Sequence, residues 1–229
     1  MKDDILTYRQ MCDNENTQTL QRGMNFRLNI EYSIFLMSKR SNAPYNDRIY
    51  EDGITIEYEG HDAPKTKDLH NPKEIDQPEF TPRGRPTQNG LFKKAVDKLK
   101  KTGQYEVVRI YEKLFSGVWS DRGFFKLIDC HTVSDGARNV FRFKLQILED
   151  FKGNSKGVTS LPKRTRIIPT EIKKLVWERD GGRCVACGAK DELHFDHDIP
   201  YSKGGASITI DNVKILCARH NLTKSDKIE

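Results

Sequence analysis

The sequence predicts an α+β fold built from two modules, and two observations support this prediction. Residues 1–150 contain several segments in which apolar and polar residues alternate, which is the period of half-buried strands. The last quarter of the chain instead holds Cys and His residues paired at the spacing of metal ligands. We therefore expect a strand-rich N-terminal domain over residues 1–150, a basic linker over 151–166 and a small metal-stabilised domain over 167–229.

The first half is predicted to be rich in strands and to contain one short helix. Leu91–Lys100 favours an amphipathic helix, because Leu91, Ala95 and Leu99 fall on one face. Residues 61–90 are rich in Pro, Gly, Asp and Lys, which is typical of long exposed loops. The predicted strands are Ile30–Met37, Ile54–Tyr58, Tyr105–Tyr111, Phe124–Ile128 and Val140–Leu148.

The boundary between the modules is marked by a change in composition. Residues 152–157 are rich in Gly, Ser and Lys and have little to bury, which is typical of a linker. Lys163–Arg166 is a basic run that suits either a solvated linker or a phosphate contact. Thr170 can cap a helix over Glu171–Arg179, which the pair Gly181-Gly182 would end.

Composition limits the class of protein. The 229 residues are 36% hydrophobic, which is enough for a packed core, and no run of about 18 apolar residues predicts a membrane-spanning helix. The N-terminus lacks the apolar stretch of a signal peptide, and three of the five cysteines fall in the metal motif, so we expect a reducing, cytoplasmic location and no membrane partner. The net charge is +6, of which +5 falls within residues 151–229, as expected where phosphates dock.

Two residue pairs near the C-terminus are predicted to bind one structural Zn²⁺. Cys184 and Cys187 form C-x-x-C, and Cys217 and His220 form C-x-x-H. Each pair spans a tight turn that can direct two ligands inward, and four ligands complete the tetrahedral site of a structural zinc with no open position.

The sequence around these ligands resembles the HNH endonucleases of the ββα-metal type over roughly residues 165–226. The family ends its second knuckle with Cys, whereas this chain has His220, which is also an ordinary zinc ligand. The resemblance implies a zinc-stapled ββα-metal domain that hydrolyses phosphodiesters. The motifs that carry it are C-V-A-C at 184–187, F-D-H-D-I-P-Y-S-K-G-G at 195–205, D-N-V at 211–213 and L-C-A-R-H-N-L-T-K at 216–224.

The resemblance assigns a base and a second metal site. His197 would be the general base that deprotonates water. Asp196 and Asn221 would bind the catalytic cation, Mg²⁺ or another divalent ion, since carboxylate and amide oxygens suit hard cations. Alternate residues of a strand point to opposite faces, so one segment can serve both metal and water.

Three further polar residues are candidates for roles near Asp196 and His197. Asn212 would tie the loop and orient His197, and Lys224 would contact phosphate. His194 lies two residues before Asp196 and could contact phosphate or metal, or could be an ordinary packed or exposed histidine.

The first half resembles the SRA domain of the PUA-like superfamily, which reads modified cytosine in DNA, over roughly residues 20–150. This resemblance implies a β-barrel-type domain. Two features depart from the family: Arg122 interrupts the D-G hairpin signature, and His61-Asp62 replace two glycines. The motifs that carry the resemblance are Pro44–Asp47, Glu57–Gly60, Asp76-Gln77, Thr87–Gly90, Val107–Tyr111, Asp121–Phe125 and Phe141–Leu145.

A reader of this kind needs a pocket for an extruded base. Tyr45 and Tyr58 could stack on the base, and Asp47 could accept a hydrogen bond from its exocyclic amine. The alternative is ordinary strand packing for the tyrosines and a turn position for Asp47. Arg83 and Arg85 lie on a Pro/Gly loop, a suitable place for an arm that enters a DNA groove.

Together these features predict a modification-dependent restriction endonuclease that recognises 5-methylcytosine or 5-hydroxymethylcytosine in double-stranded DNA, by base flipping, and cuts with a one-metal HNH site. One alternative is an HNH restriction enzyme that reads an unmodified sequence. Another is a non-catalytic zinc-containing DNA-binding protein. Since one HNH site cuts one strand, we expect a homodimer for double-strand breaks.

Overall fold

The computed structural model describes residues 3–52, 54–148, 167–199 and 209–224. Within these residues ten strands form one sheet, and four α-helices pack against it, so the predicted α+β class is confirmed. The linker predicted over 151–166 lies outside the described residues, and the domain boundaries remain predictions.

The first half contains more strand than the sequence predicts. The predicted strand Phe124–Ile128 is the middle of a strand more than three times as long, and a strand and a helix at the N-terminus were not predicted. The elements are β1 (Asp3–Thr7), α1 (Tyr8–Asn14), β2 (Met24–Asn25), β3 (Ser33–Met37), β4 (Arg48–Ile49), β5 (Thr55–Glu59), α2 (Gln88–Thr102), β6 (Val107–Phe115), β7 (Val118–Ser134) and β8 (Asn139–Ile147).

The second half has the strand–strand–helix order that the HNH resemblance implies. Its first helix ends at Gly181, whose φ of 63° is in the left-handed region that favours glycine. The predicted Thr170 cap is wrong: Pro169 is the N-cap, and the Thr170 hydroxyl donates to the buried Glu112 carboxylate instead. The elements are α3 (Thr170–Asp180), β9 (Leu193–His197), β10 (Val213–Cys217) and α4 (Ala218–Lys224).

The strands of both halves lie in one sheet. Its order is β10-β9-β1-β7-β6-β3-β2, and β8 joins β7 to β5, which pairs with β4. β3 and β6 are parallel, and the other pairs are antiparallel. β1, the first strand of the chain, therefore separates the C-terminal strands from the rest of the sheet.

The main core of the first half lies between α2 and strands β3, β5, β6, β7 and β8. It contains Phe35, Phe92 and Phe143, none of them exposed. Gly60, directly after β5, lets three neighbouring side chains pack against its backbone. A Cβ at this position would lie 2.7 Å from side-chain atoms of Asn89, Gln77 and Phe141. This explains why a glycine follows Tyr58-Glu59 in the motif.

Among the helices of the described ranges, none combines the length and the apolar composition that a bilayer crossing requires.

Candidate functional site

The four predicted zinc ligands meet at one point. The ligand atoms of Cys184, Cys187, Cys217 and His220 all lie within 4.8 Å of one another. The Cys187 and Cys217 sulfurs are 3.8 Å apart, and Cys184 Sγ is 3.6 Å from His220 Nδ1. A tetrahedral zinc with bonds of about 2.3 Å to sulfur places neighbouring sulfurs about 3.8 Å apart. The cluster therefore fits zinc.

Local backbone geometry prepares Cys184 to bind metal as a thiolate. Burial raises its pKa, but the backbone N–H groups of Cys217, Ala186 and Cys187 donate to its sulfur and lower the pKa to about 6 overall. The turn closes where the Gly188 N–H donates to the Cys184 carbonyl at 2.8 Å, and Gly188 has a φ of 75°.

The ββα arrangement places the predicted catalytic residues at the end of β9. Asp196 and His197 are the last two residues of β9, opposite Lys214 and Val213 of β10. Both side chains are half-buried. Because neighbouring strand residues point to opposite faces, Asp196 and His197 occupy different sides of the strand.

Lys224 holds Asp196 from α4. Its ammonium donates to Asp196 Oδ2 at 2.8 Å and to the His197 carbonyl at 2.5 Å, and lies 3.5 Å from Asp198 Oδ1. Only 3% of Lys224 is exposed, so its environment favours positioning Asp196 over contact with a phosphate. Asn221 lies three residues before Lys224. It therefore lies on the same face of α4 as Lys224, the face that is turned towards Asp196.

Asn212 fastens the loop that follows β9. Its side-chain oxygen accepts from the Ile199 N–H at 2.7 Å, and its amide donates to the Ile199 carbonyl at 3.1 Å. Its own carbonyl accepts from the Asp198 N–H at 2.8 Å. The Pro200–Gly205 part of the family motif lies outside the described residues.

His194 pairs with the N-terminal strand. Its Nδ1 is 2.5 Å from Asp4 Oδ1, and its Nε2 is buried without a hydrogen-bond partner among the described residues. Of the alternatives open from the sequence, the packed histidine describes it best. The sequence contained no signal for this pair, since its members are 190 residues apart.

The first half contains a cavity of about 450 Å³ beside the end of β5. Two of the three predicted base-binding residues, Tyr45 and Asp47, line it together with Glu59, Arg142 and Lys73. This volume lies within the range of about 300–1,000 Å³ that is usual for ligand sites.

Asp47 is one of two buried acids that line this cavity, the other being Glu59. Its oxygens accept from the Ser38 and Glu59 N–H groups, both at 3.1 Å. Burial raises the pKa of the carboxyl to about 7, although these two N–H groups lower it. The carboxyl is thus held in one orientation and titrates near neutral pH.

The two predicted tyrosines lie in different places. Tyr45 stacks on His61, with ring centroids 5.1 Å apart and planes inclined by 10°, and burial lowers the pKa of His61 to about 4, so this ring is neutral. Tyr58 is 1% exposed, stacks on Phe35 in the core and does not line the cavity. Its hydroxyl lies 3.2 Å from His61 Nε2, so Tyr58 is linked to the Tyr45 ring through His61.

Sequence reasoning missed an ion pair in the cavity wall. Arg142 is 5% exposed, lies 3.3 Å from Glu59 Oε2 and donates to the Asn46 carbonyl at 2.6 Å. Arg142 lies at a polar position of a strand in which polar and apolar residues alternate, and such a position is usually exposed to solvent. Its burial in the cavity wall therefore becomes visible only in the packed sheet.

Arg83 and Arg85 lie on an exposed hairpin closed by the bridge between Phe80 and Pro86. The Thr81 N–H donates to the Arg85 carbonyl at 2.7 Å, and Gly84 supplies the left-handed φ of 74° at the tip. At the base of the hairpin the Asn89 amide donates to the His61 and Pro78 carbonyls. The hairpin is thereby anchored to the residue that stacks on Tyr45.

Comparison with known proteins identifies the C-terminal module. Residues 184–227 match the family described as HNH endonuclease. The match includes all four ligands of the Cys/His cluster and every residue predicted to take part in catalysis. The chain therefore carries an HNH endonuclease domain, and the predicted phosphodiester hydrolase is confirmed. No curated protein matches the chain.

Several solved structures are similar to the chain. The SRA domain of SUVH5 in complex with hemi-methylated CG DNA is 19% identical, with a TM-score of 0.43, covering 70% of this chain and 92% of that one. The same domain bound to fully hydroxymethylated CG DNA is 17% identical, with a TM-score of 0.45, covering 71% and 93%. Arabidopsis thaliana SUVH6 in complex with SAM is 16% identical, with a TM-score of 0.42, covering 75% and 28%.

Proposed function

We propose that this chain, whose residues 184–227 form an HNH endonuclease domain, is a modification-dependent restriction endonuclease. Its N-terminal half recognises 5-methylcytosine or 5-hydroxymethylcytosine in double-stranded DNA, and the HNH domain then cuts. The observation that supports this specificity best is the cavity that holds a fixed, buried carboxyl at Asp47 beside the Tyr45 ring.

The cavity has the chemistry to read an extruded cytosine. Flipping a base costs a few kcal/mol, and the pocket repays this cost through stacking and hydrogen bonds to the Watson–Crick edge. Asp47 accepts a hydrogen bond from the exocyclic amine, with an orientation fixed by the Ser38 and Glu59 N–H groups. Tyr45 provides the stacking surface, and Tyr58 supports it through His61.

Two exposed arginines suit the DNA backbone. Arg83 and Arg85 project from the exposed hairpin described above, whereas the Lys73 ammonium is held within the protein by the Asp62 carboxylate at 3.1 Å and the Pro44 carbonyl at 2.5 Å. Phosphate contacts of this kind hold the duplex without reading its sequence, so they contribute affinity but little specificity.

Hydrolysis in the HNH domain needs a base and a held phosphate. His197 takes the proton from the attacking water, and Asn212 fixes the loop beside it. Asp196 and Asn221 offer a carboxylate and an amide oxygen, a donor set that suits Mg²⁺ or another divalent ion. When bound, such an ion stabilises the charge that develops on the phosphate and on the leaving oxygen. Lys224 keeps the Asp196 carboxylate in position.

The deciding experiment is digestion of three duplexes that differ only in one cytosine, carrying no modification, 5-methylcytosine or 5-hydroxymethylcytosine. We expect Mg²⁺-dependent cleavage of one or both modified duplexes and none of the unmodified one. Equal cleavage of all three would favour an enzyme that reads an unmodified sequence. Binding without cleavage under any divalent metal would favour a non-catalytic protein.

Substitutions in the cavity test the reader separately from the cutter. Tyr45→Ala should weaken binding of modified DNA by roughly 1–3 kcal/mol, the usual cost of losing a stacking ring. Asp47→Ala should bring its affinity towards that for unmodified DNA, because the amine of the base is then left unpaired. Tyr105→Ala is the matched control, since Tyr105 is exposed outside the cavity. Equal affinity of the wild type for modified and unmodified duplexes would contradict the assignment.

A further inference from the structure

We infer that the HNH domain and the N-terminal half form one rigid unit, so that the cut falls at a fixed distance from the recognised base. The fixed distance rests on the proposed function, because it presupposes a recognised base. The rigidity itself rests on a shared strand, shared cores and buried polar contacts between the two halves.

The shared strand is β1. Its residues Asp4–Thr7 pair with Val118–Asp121 of β7, and Asp3 and Asp4 pair with Phe195 and His194 of β9. β1 therefore adds a third strand to the two-stranded ribbon of the HNH domain and joins it to the larger sheet. Backbone hydrogen bonds on both edges hold β9, the strand that ends with Asp196 and His197.

The hydrophobic cores are also shared. Ile5 and Leu114, from the first half, pack in one cluster with Val176 and Phe195 of the HNH domain. In the reverse direction Ile167, just ahead of α3, packs into the core around α2 and is 2% exposed. Domains of one chain usually move relative to each other unless their interface is large and hydrophobic. Here residues of both halves belong to the same hydrophobic clusters, so the two halves share their cores.

Buried polar groups lock the start of α3 onto the first half. Arg122, which is not exposed at all, donates to Glu112 Oε2 at 2.8 Å and to the Ile168 carbonyl at 2.6 Å. The Thr170 hydroxyl donates to the same Glu112 carboxylate. Opening this seam would break the hydrogen bonds that Ile168 and Thr170 make to a fully buried ion pair, so these contacts oppose separation of the two halves.

A second buried contact lies further along α3. Lys173, with no exposed surface, donates to Ser120 Oγ of β7 at 2.8 Å, and its ammonium lies 5.6 Å from the centre of the Phe195 ring of β9. One side chain of α3 thus touches the long strand of the first half and the catalytic strand of the second.

A rigid unit restricts where the nuclease can act. If the recognised base occupies the cavity at Asp47, the position of His197 relative to that base is set by the sheet and not by the segment 151–166. Cleavage is then expected at one phosphodiester per strand, and the length of that segment should not matter.

The first test lengthens the segment between the halves. An insertion of about twelve Gly and Ser residues within 152–157 adds roughly 20 Å of reach, which is about six steps along B-DNA at roughly 3.4 Å per step. The cut positions on a duplex with a single modified cytosine are mapped to the nucleotide. The same insertion after Gly103, in the exposed turn between α2 and β6, serves as the matched control.

We expect both insertion variants to cut at the wild-type position. A cut that moves, or that spreads over several positions only in the 152–157 variant, would show that the segment positions the nuclease and would overturn the inference.

A second test does not depend on base recognition. A protease site placed within 152–157 is cleaved, and the nicked protein is passed through gel filtration in the native state. We expect the two fragments to elute together at the size of the intact chain and to keep bound zinc. Separation of the fragments would overturn the inference, whereas equal affinity of the intact chain for modified and unmodified DNA, with co-elution of the fragments, would count only against the proposed function.

Discussion

Asp47 combines deep burial with two hydrogen bonds, and its surroundings determine how it titrates. Water is excluded from the carboxyl, which raises its pKa from 3.8 to about 7, while the Ser38 and Glu59 N–H groups partly oppose this shift. A carboxyl that changes charge near neutral pH is more common at functional sites than on ordinary surfaces.

This shift predicts a pH dependence of stability. The folded chain holds the Asp47 proton more tightly than the unfolded chain, so the stabilisation is complete below the ordinary pKa of 3.8 and is lost as the pH rises through about 7. Asp47→Asn cannot ionise. The unfolding free energy of the wild type minus that of Asp47→Asn, from urea titrations, should therefore fall between about pH 4 and about pH 7 and level off above that. A difference that stays flat or rises would contradict the burial of this group.

His197 is predicted to act in catalysis without a part in folding. It lies outside the zinc cluster and next to Asp196 at the end of β9. His197→Ala should lower the cleavage rate by about 10²–10⁴, as loss of a general base usually does, while zinc content and DNA affinity remain near the wild-type values. His70→Ala, at an exposed loop position, is the matched control. Cleavage by His197→Ala within a few-fold of the wild type would identify another residue as the base.

The zinc predicted at Cys184, Cys187, Cys217 and His220 would stabilise a module that is too small for a large core of its own. Cys184 and Cys217 are themselves part of the hydrophobic cluster that contains Ile5 and Leu114. Loss of the metal should therefore loosen β1 as well as the ββα elements, while α2 and β8, which pack in the other core, remain ordered.

Cys217→Ser tests this coupling. Structural zinc contributes about 10–16 kcal/mol in small zinc domains, which exceeds the stability of most domains, at about 5–15 kcal/mol. We expect the variant to bind no zinc and to show fast amide hydrogen exchange in β1, β9 and β10, with protection retained in β8. Cys130→Ser, which changes a cysteine outside the cluster, should keep one zinc per chain by elemental analysis. Full activity in a zinc-free protein would refute the structural role of the metal.

Tryptophan fluorescence can report unfolding at the junction between the two halves. The only tryptophans, Trp119 of β7 and Trp177 of α3, both belong to elements that meet at the junction, and Trp177 packs near Phe115 at 6.5 Å. On heating, the change in tryptophan fluorescence and the release of zinc to a chromogenic chelator should occur at the same temperature. Zinc release well below the fluorescence transition would indicate an HNH domain that unfolds independently of the junction.

Double-strand cleavage is expected to need two copies of the chain, since each carries one predicted catalytic His197. With a supercoiled substrate that has modified cytosines on both strands, nicked circles should accumulate first. The rate of linearisation should then rise more steeply than linearly with enzyme concentration. First-order dependence with no nicked intermediate would contradict the homodimer prediction.

The meeting of the four Cys and His residues, and the neighbouring positions of Asp196 and His197 on one strand, could be predicted from the sequence because each knuckle and the Asp-His pair are local in the chain. Cys184 and Cys187, like Cys217 and His220, are three residues apart, and such short spacing leaves the backbone few conformations. The helix predicted over Glu171–Arg179 is found at Thr170–Asp180, and its glycine stop could be recognised because it lies next to the helix in the chain.

What only the tertiary structure decided involves residues far apart in the chain. Asp4 meets His194, Arg122 meets the start of α3, and Tyr58 turns into the core while Asp47 faces the cavity. A polar residue in an alternating strand has the same sequence pattern whether its face meets water or another strand. Its environment depends on which strands pair, and pairing between the two ends of the chain is determined by the sum of many contacts across the whole sheet.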